Sequence, residues 1–429
     1  MPTLQVITLG CSKNTVDTEH LLYQVRDLYE IVPEGEVCPV DVQLINTCGF
    51  IGDAKEQSIQ TILASVQRKK DGEIGRLLVF GCLSQRYTRE LPDLIPEVDG
   101  WFGARDLDPV VRALGCKPDP ASAHRRVRTD GIHLYAYLKI SEGCDHQCSY
   151  CAIPLIRGKQ VSKPIPLLVE EAHKLADQGV KELMLIAQDL TYYGVDLTGK
   201  HELAKLMEAL AQVKDLEWIR LHYAYPINFP YEILDVMNAY PQYCRYLDIP
   251  FQHVSDDILK SMRRGGTSKY IYDLIARIRE TVPGIALRTT LISGYPTETN
   301  EQHKELVEFV RHNRFERLGV FAYSQEEDTP AYELGDPVRR NIKTRRVNEI
   351  MQLQEDISRE LNEAKVGQTL KVIIDAEEQD FYVGRTEFDS PDVDNSVLVR
   401  KDKALKIGDF YQVKITDAAD YDLYGTIEN

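Results

Sequence analysis

The sequence has no uninterrupted apolar run of about 18 residues or more, which excludes an ordinary membrane-spanning helix from its 429 residues. Its opening, MPTLQVITLGCSKN, has no basic stretch leading into an apolar one, so it reads as a first β-strand and not as a secretory signal. A cytoplasmic protein is expected. Basic residues are in deficit: 51 Lys and Arg stand against 67 Asp and Glu, for a formal net charge of −16. Broad binding to a phosphate backbone depends on Lys and Arg, and this balance disfavours it. An acidic surface suits a basic protein partner, or simply solubility.

What the chain does have is cysteine. There are nine, at Cys11, Cys38, Cys48, Cys82, Cys116, Cys144, Cys148, Cys151 and Cys244. In a large cytosolic chain disulfides are not expected, and grouped cysteines point to metal or redox chemistry. With hydrophobic residues at 43% the chain can build real cores, and its length suggests two or three domains of about 100–200 residues.

The first segment carries a loose repeat in which an apolar strand-like run ends and a cysteine follows at once. LQVITLG leads to Cys11, VQLINT to Cys48 and RLLVFG to Cys82. Helix-like stretches follow at least the first two. In the second, Asp53 and Glu56 suggest a capping box, and Ile59, Ile62, Leu63 and Val66 make one apolar face. Strands alternating with helices imply a parallel sheet, and ligands gather beyond the carboxyl ends of such strands. All three cysteines fall at that edge.

The segment 115–131, GCKPDPASAHRRVRTDG, reads as a linker. Beyond it the alternation resumes. Strands are predicted at 135–140, 182–187, 218–223, 245–250, 285–292 and 317–323, with helical patterns in most gaps and a long polar helix at about 341–364. Six βα units suggest a partial barrel. The last 66 or so residues read as five short strands between Gly, Pro and Asp turns, which fit a small barrel of the oligonucleotide-binding type.

Cys144, Cys148 and Cys151 directly follow the first barrel strand with the spacing Cys-x-x-x-Cys-x-x-Cys. A [4Fe–4S] cluster normally takes four thiolates. Three leave one iron open to a substrate or cofactor. The alternative is buried thiols or a zinc site, for which His146 could supply a fourth ligand. Cys11, Cys48 and Cys82 by themselves are a weaker signal, raised by their shared strand-end position. Cys38, Cys116 and Cys244 match no motif and are read as ordinary thiols.

EGCDHQCSYCAIPLIRG (142–158) resembles the signature of the radical S-adenosylmethionine (SAM) enzymes, specifically of the methylthiotransferase family. The resemblance implies that Cys144, Cys148 and Cys151 hold a cluster whose open iron is chelated by SAM, and that reduction yields a 5′-deoxyadenosyl radical. LGCSKNTVDTE, NTCGFIGDAKEQSI and GCLSQRY resemble the family's N-terminal domain. There Cys11, Cys48 and Cys82 are implied to hold an auxiliary [4Fe–4S] cluster carrying the transferred sulfur. The Gly-Gly-Glu that touches the SAM amino group in many radical SAM enzymes is missing from AQDLTYYGVDL (187–197), where Gln188 and Asp189 are candidate substitutes. LISGYPTET (291–299) resembles the family's glycine–proline turn near the adenosyl group, which makes Gly294 and Pro296 SAM-contact candidates. In DIPFQHVSD (248–256), Asp248, Gln252 and His253 are either polar lining or strand-end hydrogen bonders. The C-terminal segment resembles a TRAM domain. Such domains often bind RNA, but from Glu363 to Asn429 there are 8 Lys and Arg against 15 Asp and Glu, a net charge of −7.

The resemblance covers nearly the whole chain. It implies an auxiliary-cluster domain at 1–118, a radical SAM core at 130–361 and a TRAM domain at 363–429. One branch of the family modifies an isopentenyl adenosine in tRNA, and the other modifies an aspartate of ribosomal protein S12. LGCSKN, EGCDHQCSYC, AQDLTYYGVDL and the acidic last domain favour the second. The expected function is methylthiolation of the β-carbon of that aspartate, with two [4Fe–4S] clusters and SAM as cofactors. S12 is the expected partner, together with an unidentified electron donor and sulfur source. Neither a membrane nor a nucleic-acid substrate is expected. The rivals are the tRNA enzyme and a non-catalytic iron–sulfur or zinc module that binds ribosomes.

Overall fold

The computed structural model describes residues 1–129 and 134–428. The last two residues of the expected linker, the first four of the expected core and Asn429 lie outside the described residues.

The N-terminal sheet is built from β1 (Thr3–Thr8), β2 (Glu30–Val32), β3 (Val40–Thr47), β4 (Ile74–Gly81) and β5 (Gly100–Trp101), in the order β2-β1-β3-β4-β5 and parallel throughout. All but one residue of β3 and most of β4 are buried, the pattern of strands covered on both faces by helices. The helix Ser12–Val25 packs Leu21, Leu22 and Val25 against one face. The helix Gly52–Lys70 packs Ile62 and Val66 against the other. The expected capping box is a misreading. The N-cap is Ile51, whose side chain has no polar atom, and Asp53 sits inside the first turn, where its carboxylate meets the helix dipole instead. Leu63, expected on the buried face, is 45% exposed.

The second sheet runs β6 (Tyr135–Lys139), β9 (Glu182–Ile186), β10 (Trp218–Leu221), β11 (Tyr243–Asp248), β12 (Ala286–Ser293) and β13 (Arg317–Ala322) as sequential parallel neighbours. This is the expected six-unit partial barrel. A two-stranded ribbon, β7 (Ser141–Glu142) with β8 (Val161–Ser162), frames the cysteine loop that follows β6. The helix Arg340–Glu363 closes the segment. The linker is tied down by buried ion pairs, Arg126 to Glu19 at 2.9 Å and to Glu171 at 3.1 Å.

The C-terminal strands β14 (Thr369–Glu377), β15 (Phe381–Thr386), β16 (Val397–Arg400), β17 (Phe410–Ala418) and β18 (Leu423–Ile427) close into a barrel in the order β14-β15-β16-β18-β17. The loop 387–395 between β15 and β16 packs against strands of the large barrel. There Asp389 pairs with Arg317, Ser390 Oγ meets His222 Nε2 at 3.1 Å, and Asp394 accepts from Tyr246 at 2.8 Å. Among the described residues no helix is long and apolar enough to cross a membrane.

Candidate functional site

Every strand of both parallel sheets ends at the same kind of edge, and the two edges face each other. Cys48 and Cys82 follow β3 and β4 directly, and Cys11 follows β1 after Leu9 and Gly10. Opposite them stand the cysteine loop after β6, Gln188 and Asp189 after β9, and Gly294 after β12. Contacts across the gap fix this arrangement. Lys139 pairs with Asp17, the Lys13 ammonium lies 3.2 Å from the Tyr223 ring centroid, and Glu326 holds both Lys55 at 2.9 Å and Arg86 at 2.8 Å.

Within the N-terminal trio, Asn14 is the organiser. Its amide donates to the Leu9 and Thr47 carbonyls, and its Oδ1 stands 3.9 Å from Cys82 Sγ. Ser58 bonds both the amide and the carbonyl of Cys48, at 3.0 and 2.9 Å. Burial raises the Cys48 thiol and pushes Cys82 up to about 11, while Arg157 opposes both shifts. In the barrel trio, the Cys144 amide donates to the Gly158 carbonyl and the Cys151 amide to the Cys148 carbonyl. Burial pushes Cys144 and Cys151 up to about 12, and their neighbours' thiols add to it. Thiols raised in this way stay protonated on their own, and metal coordination is what deprotonates them. Among the described residues no three His, Cys, Asp or Glu side chains converge on the shell of a single ion. Each set nonetheless offers three thiols at one sheet edge, with a guanidinium on one sulfur. Arg157 Nε is 3.3 Å from Cys82 Sγ, and Arg264 Nη1 is 3.6 Å from Cys148 Sγ. That donor set suits an anionic thiolate cluster.

His146, the candidate zinc ligand, is engaged elsewhere. Its Nε2 meets Asp189 Oδ2 at 2.6 Å and its ring stacks on Tyr225 at 3.7 Å. Asp189 spends its other oxygen on Thr191 and Tyr192, which makes it a wall of the site. Gln188 differs. Its Nε2 donates to Glu142 at 2.7 Å, and its buried Oε1 has no partner among the described residues. An orphaned acceptor at the cluster edge fits a ligand amine. Gly294 adopts φ +77°, and a Cβ there would stand 2.5 Å from Lys343 Cγ, so glycine is required by the packing of the helix Arg340–Glu363. Pro296 is buried in the same turn. Tyr223 and Gln252 also adopt positive φ, 65° and 71°, just after β10 and β11, where backbone strain marks a shaped site. Asp248 and His253 are fully buried at the same edge. Cys38 and Cys116 are half-buried in the N-terminal unit and Cys244 is buried within β11, away from both trios.

The charged groups that join the two edges, Asp17, Lys139, Glu142 and Arg157, are not singled out by the sequence, and neither is Arg264, which braces Cys148 within the barrel. Arg157 lies inside the cysteine motif, but nothing in the motif says that its side chain points at the other domain.

Models of three families match the chain: the uncharacterized protein family UPF0004 over residues 3–103, the radical SAM superfamily over 138–310 and the TRAM domain over 366–427. Proteins named ribosomal protein uS12 methylthiotransferase RimO are similar over nearly the whole chain. The one from Christiangramia forsetii is 52% identical over 98% of this chain and 93% of its own, and the one from Phocaeicola vulgatus 49% over 99% of each. Among solved structures, the radical SAM methyltransferase TsrM from Kitasatospora setae, with cobalamin and a [4Fe–4S] cluster bound, superposes with a TM-score of 0.57 at 14% identity, covering 77% of this chain and 74% of that one. The cobalamin-dependent SAM radical enzyme OxsB gives 0.52 at 13% identity, covering 82% and 56%. These two likenesses establish the fold alone.

Proposed function

This chain belongs to the RimO family of ribosomal protein uS12 methylthiotransferases, and we infer from that premise that it is a radical SAM enzyme placing a methylthio group on the β-carbon of an aspartate in ribosomal protein S12. The observation that carries the reading is that the two cysteine-bearing sheet edges face each other, with Arg157 of the barrel donating to Cys82 of the N-terminal sheet. A hydrogen must leave a carbon and a sulfur must reach the same carbon. Two centres serving one atom have to open onto one space.

We propose that Cys144, Cys148 and Cys151 hold one [4Fe–4S] cluster and that Cys11, Cys48 and Cys82 hold a second, in domains spanning 130–361 and 1–118. When bound, the clusters and SAM supply hydrogen-abstracting chemistry on one side of the gap and transferable sulfur on the other. The protein's part is to position. Gln188 Oε1 accepts from the SAM amino group, and Glu142 holds the amide in that orientation. Asp189, braced by His146 and Thr191, walls the site beside it, and Gly294 and Pro296 form the turn near the adenosyl group. Lys13 on Tyr223 and Lys139 on Asp17 hold the edges at a fixed separation, which keeps a reactive carbon near sulfur and away from bulk water.

The acidic domain 363–429, at −7, attracts a basic ribosomal protein and repels tRNA. The deciding experiment supplies S12 and isopentenylated tRNA together under reducing, anaerobic conditions. Mass analysis should find the methylthio group on an aspartate of S12 and none on the tRNA. The opposite pattern would overturn the reading.

A further inference from the structure

We propose that Arg157 is a positioning residue that sets the reduction potential of the cluster at the N-terminal trio, through its hydrogen bond to the Cys82 sulfur. The proposal rests on the two-cluster reading above. Arg157 ends the short helix Ile153–Arg157 of the barrel domain, yet its side chain is used almost wholly by the other domain. It is 4% exposed. Nη2 donates to Asn14 Oδ1 at 2.6 Å, and Nη1 donates to Asp17 Oδ2 at 2.8 Å and to the Ala104 carbonyl at 3.2 Å. Among the described residues, the partner its side chain finds in its own domain is Glu142 Oε2 at 3.1 Å.

The charges around it explain why the sulfur matters. Asp17 and Glu142 face Arg157 and Lys139, two anions against two cations, so the cluster of side chains is balanced before the sulfur is counted. None of those oxygens takes the Nε–H, which points at Cys82 Sγ from 3.3 Å. A hydrogen bond donated to a ligand sulfur stabilises the more negative, reduced cluster and raises its potential. In a buried site the effect is screened little. Because the donor comes from the barrel, the tuning exists only when the two domains are docked. The same residue touches Glu142, which orients Gln188, so the sulfur site and the proposed SAM site share one brace.

The test uses the full-length chain with Cys144, Cys148 and Cys151 replaced by Ala, so that only the N-terminal trio can hold iron. Arg157→Lys keeps the charge opposite Asp17 and Glu142 but has no Nε–H in that position. Arg157→Met removes both. After anaerobic reconstitution, iron is counted and the midpoint is read by redox titration followed by electron paramagnetic resonance. The expected result is one cluster per chain in the parent and in the Lys variant, with a midpoint more negative in Lys and more negative still in Met. If Met fails to fold by circular dichroism, the Lys comparison decides. An unchanged midpoint in Lys overturns the assignment, and so does loss of iron from a folded Lys variant, which would make Arg157 a brace for assembly only. A parent that binds no iron would instead bring down the two-cluster reading.

Discussion

Gly10 and Cys48 touch: a Cβ built on Gly10 would stand 2.8 Å from the Cys48 Cβ and 3.1 Å from its sulfur, and Gly10 already adopts φ +98°. One glycine therefore lets the turn bearing Cys11 lie against the turn bearing Cys48. Ala at this position meets two obstacles. The left-handed backbone costs about 1–2 kcal/mol in an L residue, and the contact forces Cys48 to move. We expect Gly10→Ala to fold but to hold about half the wild-type iron, while the barrel trio still forms 5′-deoxyadenosine. Full iron content would show that the contact does not govern the trio.

Gln188 Oε1 is buried and without a partner among the described residues. If it accepts from the SAM ammonium, that bond is of the charged kind, worth about 1.5–3 kcal/mol. Gln188→Leu should then weaken SAM binding roughly 10- to 100-fold in equilibrium dialysis with the reconstituted enzyme, and leave the iron content unchanged. Unaltered SAM affinity would remove Gln188 from the site.

His253 is fully buried, and its Nδ1 accepts from the Ser255 amide at 3.0 Å. Burial pushes its pKa down from 6.5 to about 4; Glu298 opposes this, and His303 and Arg346 add to it. The unfolded chain therefore binds a proton between pH 6.5 and about 4 that the folded chain refuses. Stability is complete above pH 6.5 and falls as pH drops through this window, by at most about 1.4 kcal/mol per unit. Asn can accept from the same amide without titrating. Between pH 7 and pH 5, wild type should lose roughly 2 kcal/mol more than His253→Asn in denaturant unfolding. Parallel losses would show that His253 is not the group responsible.

The architecture was legible because its signals are periodic and local. The predicted strand at 182–187 is β9, Glu182–Ile186, and the predicted helix at about 341–364 is Arg340–Glu363. A strand running straight into a cysteine puts that cysteine at the sheet edge whatever the rest of the fold does, so both trios could be placed from sequence. What was not legible depends on contacts between residues far apart in the chain. Arg157 to Asn14 spans 143 positions and Arg385 to Glu182 spans 203, and a buried charge looks in sequence like any surface charge. The misread capping box has a local cause. Asp53 and Glu56 have the right spacing, but the helix begins two residues earlier than that spacing assumes.

The same long-range pairing bears on whether the C-terminal barrel is a detachable module. Glu182 and Arg220 are fully buried and pair at 2.7 Å, and Arg385 reaches Glu182 at 2.7 Å from β15. Arg220 also donates to the Glu387 carbonyl at 2.7 Å, and Arg317 pairs with Asp389. Trp218, Cys244, Tyr246 and Ala286 of the large barrel form one apolar cluster with Ile373 of the small one. Ending the chain after Glu363 would take Arg385 from Glu182, the Glu387 carbonyl from Arg220 and Asp389 from Arg317, and open that cluster to water. Breaking one buried pair typically costs about 3–5 kcal/mol, against a total stability of roughly 5–15 kcal/mol. A full-length Glu182→Gln variant should therefore unfold at markedly lower denaturant and stay soluble, whereas the 1–363 fragment should aggregate or melt below growth temperature. If the fragment instead melts like wild type and takes up the same iron, the loop 387–395 merely rests against the barrel, and the large barrel folds without it.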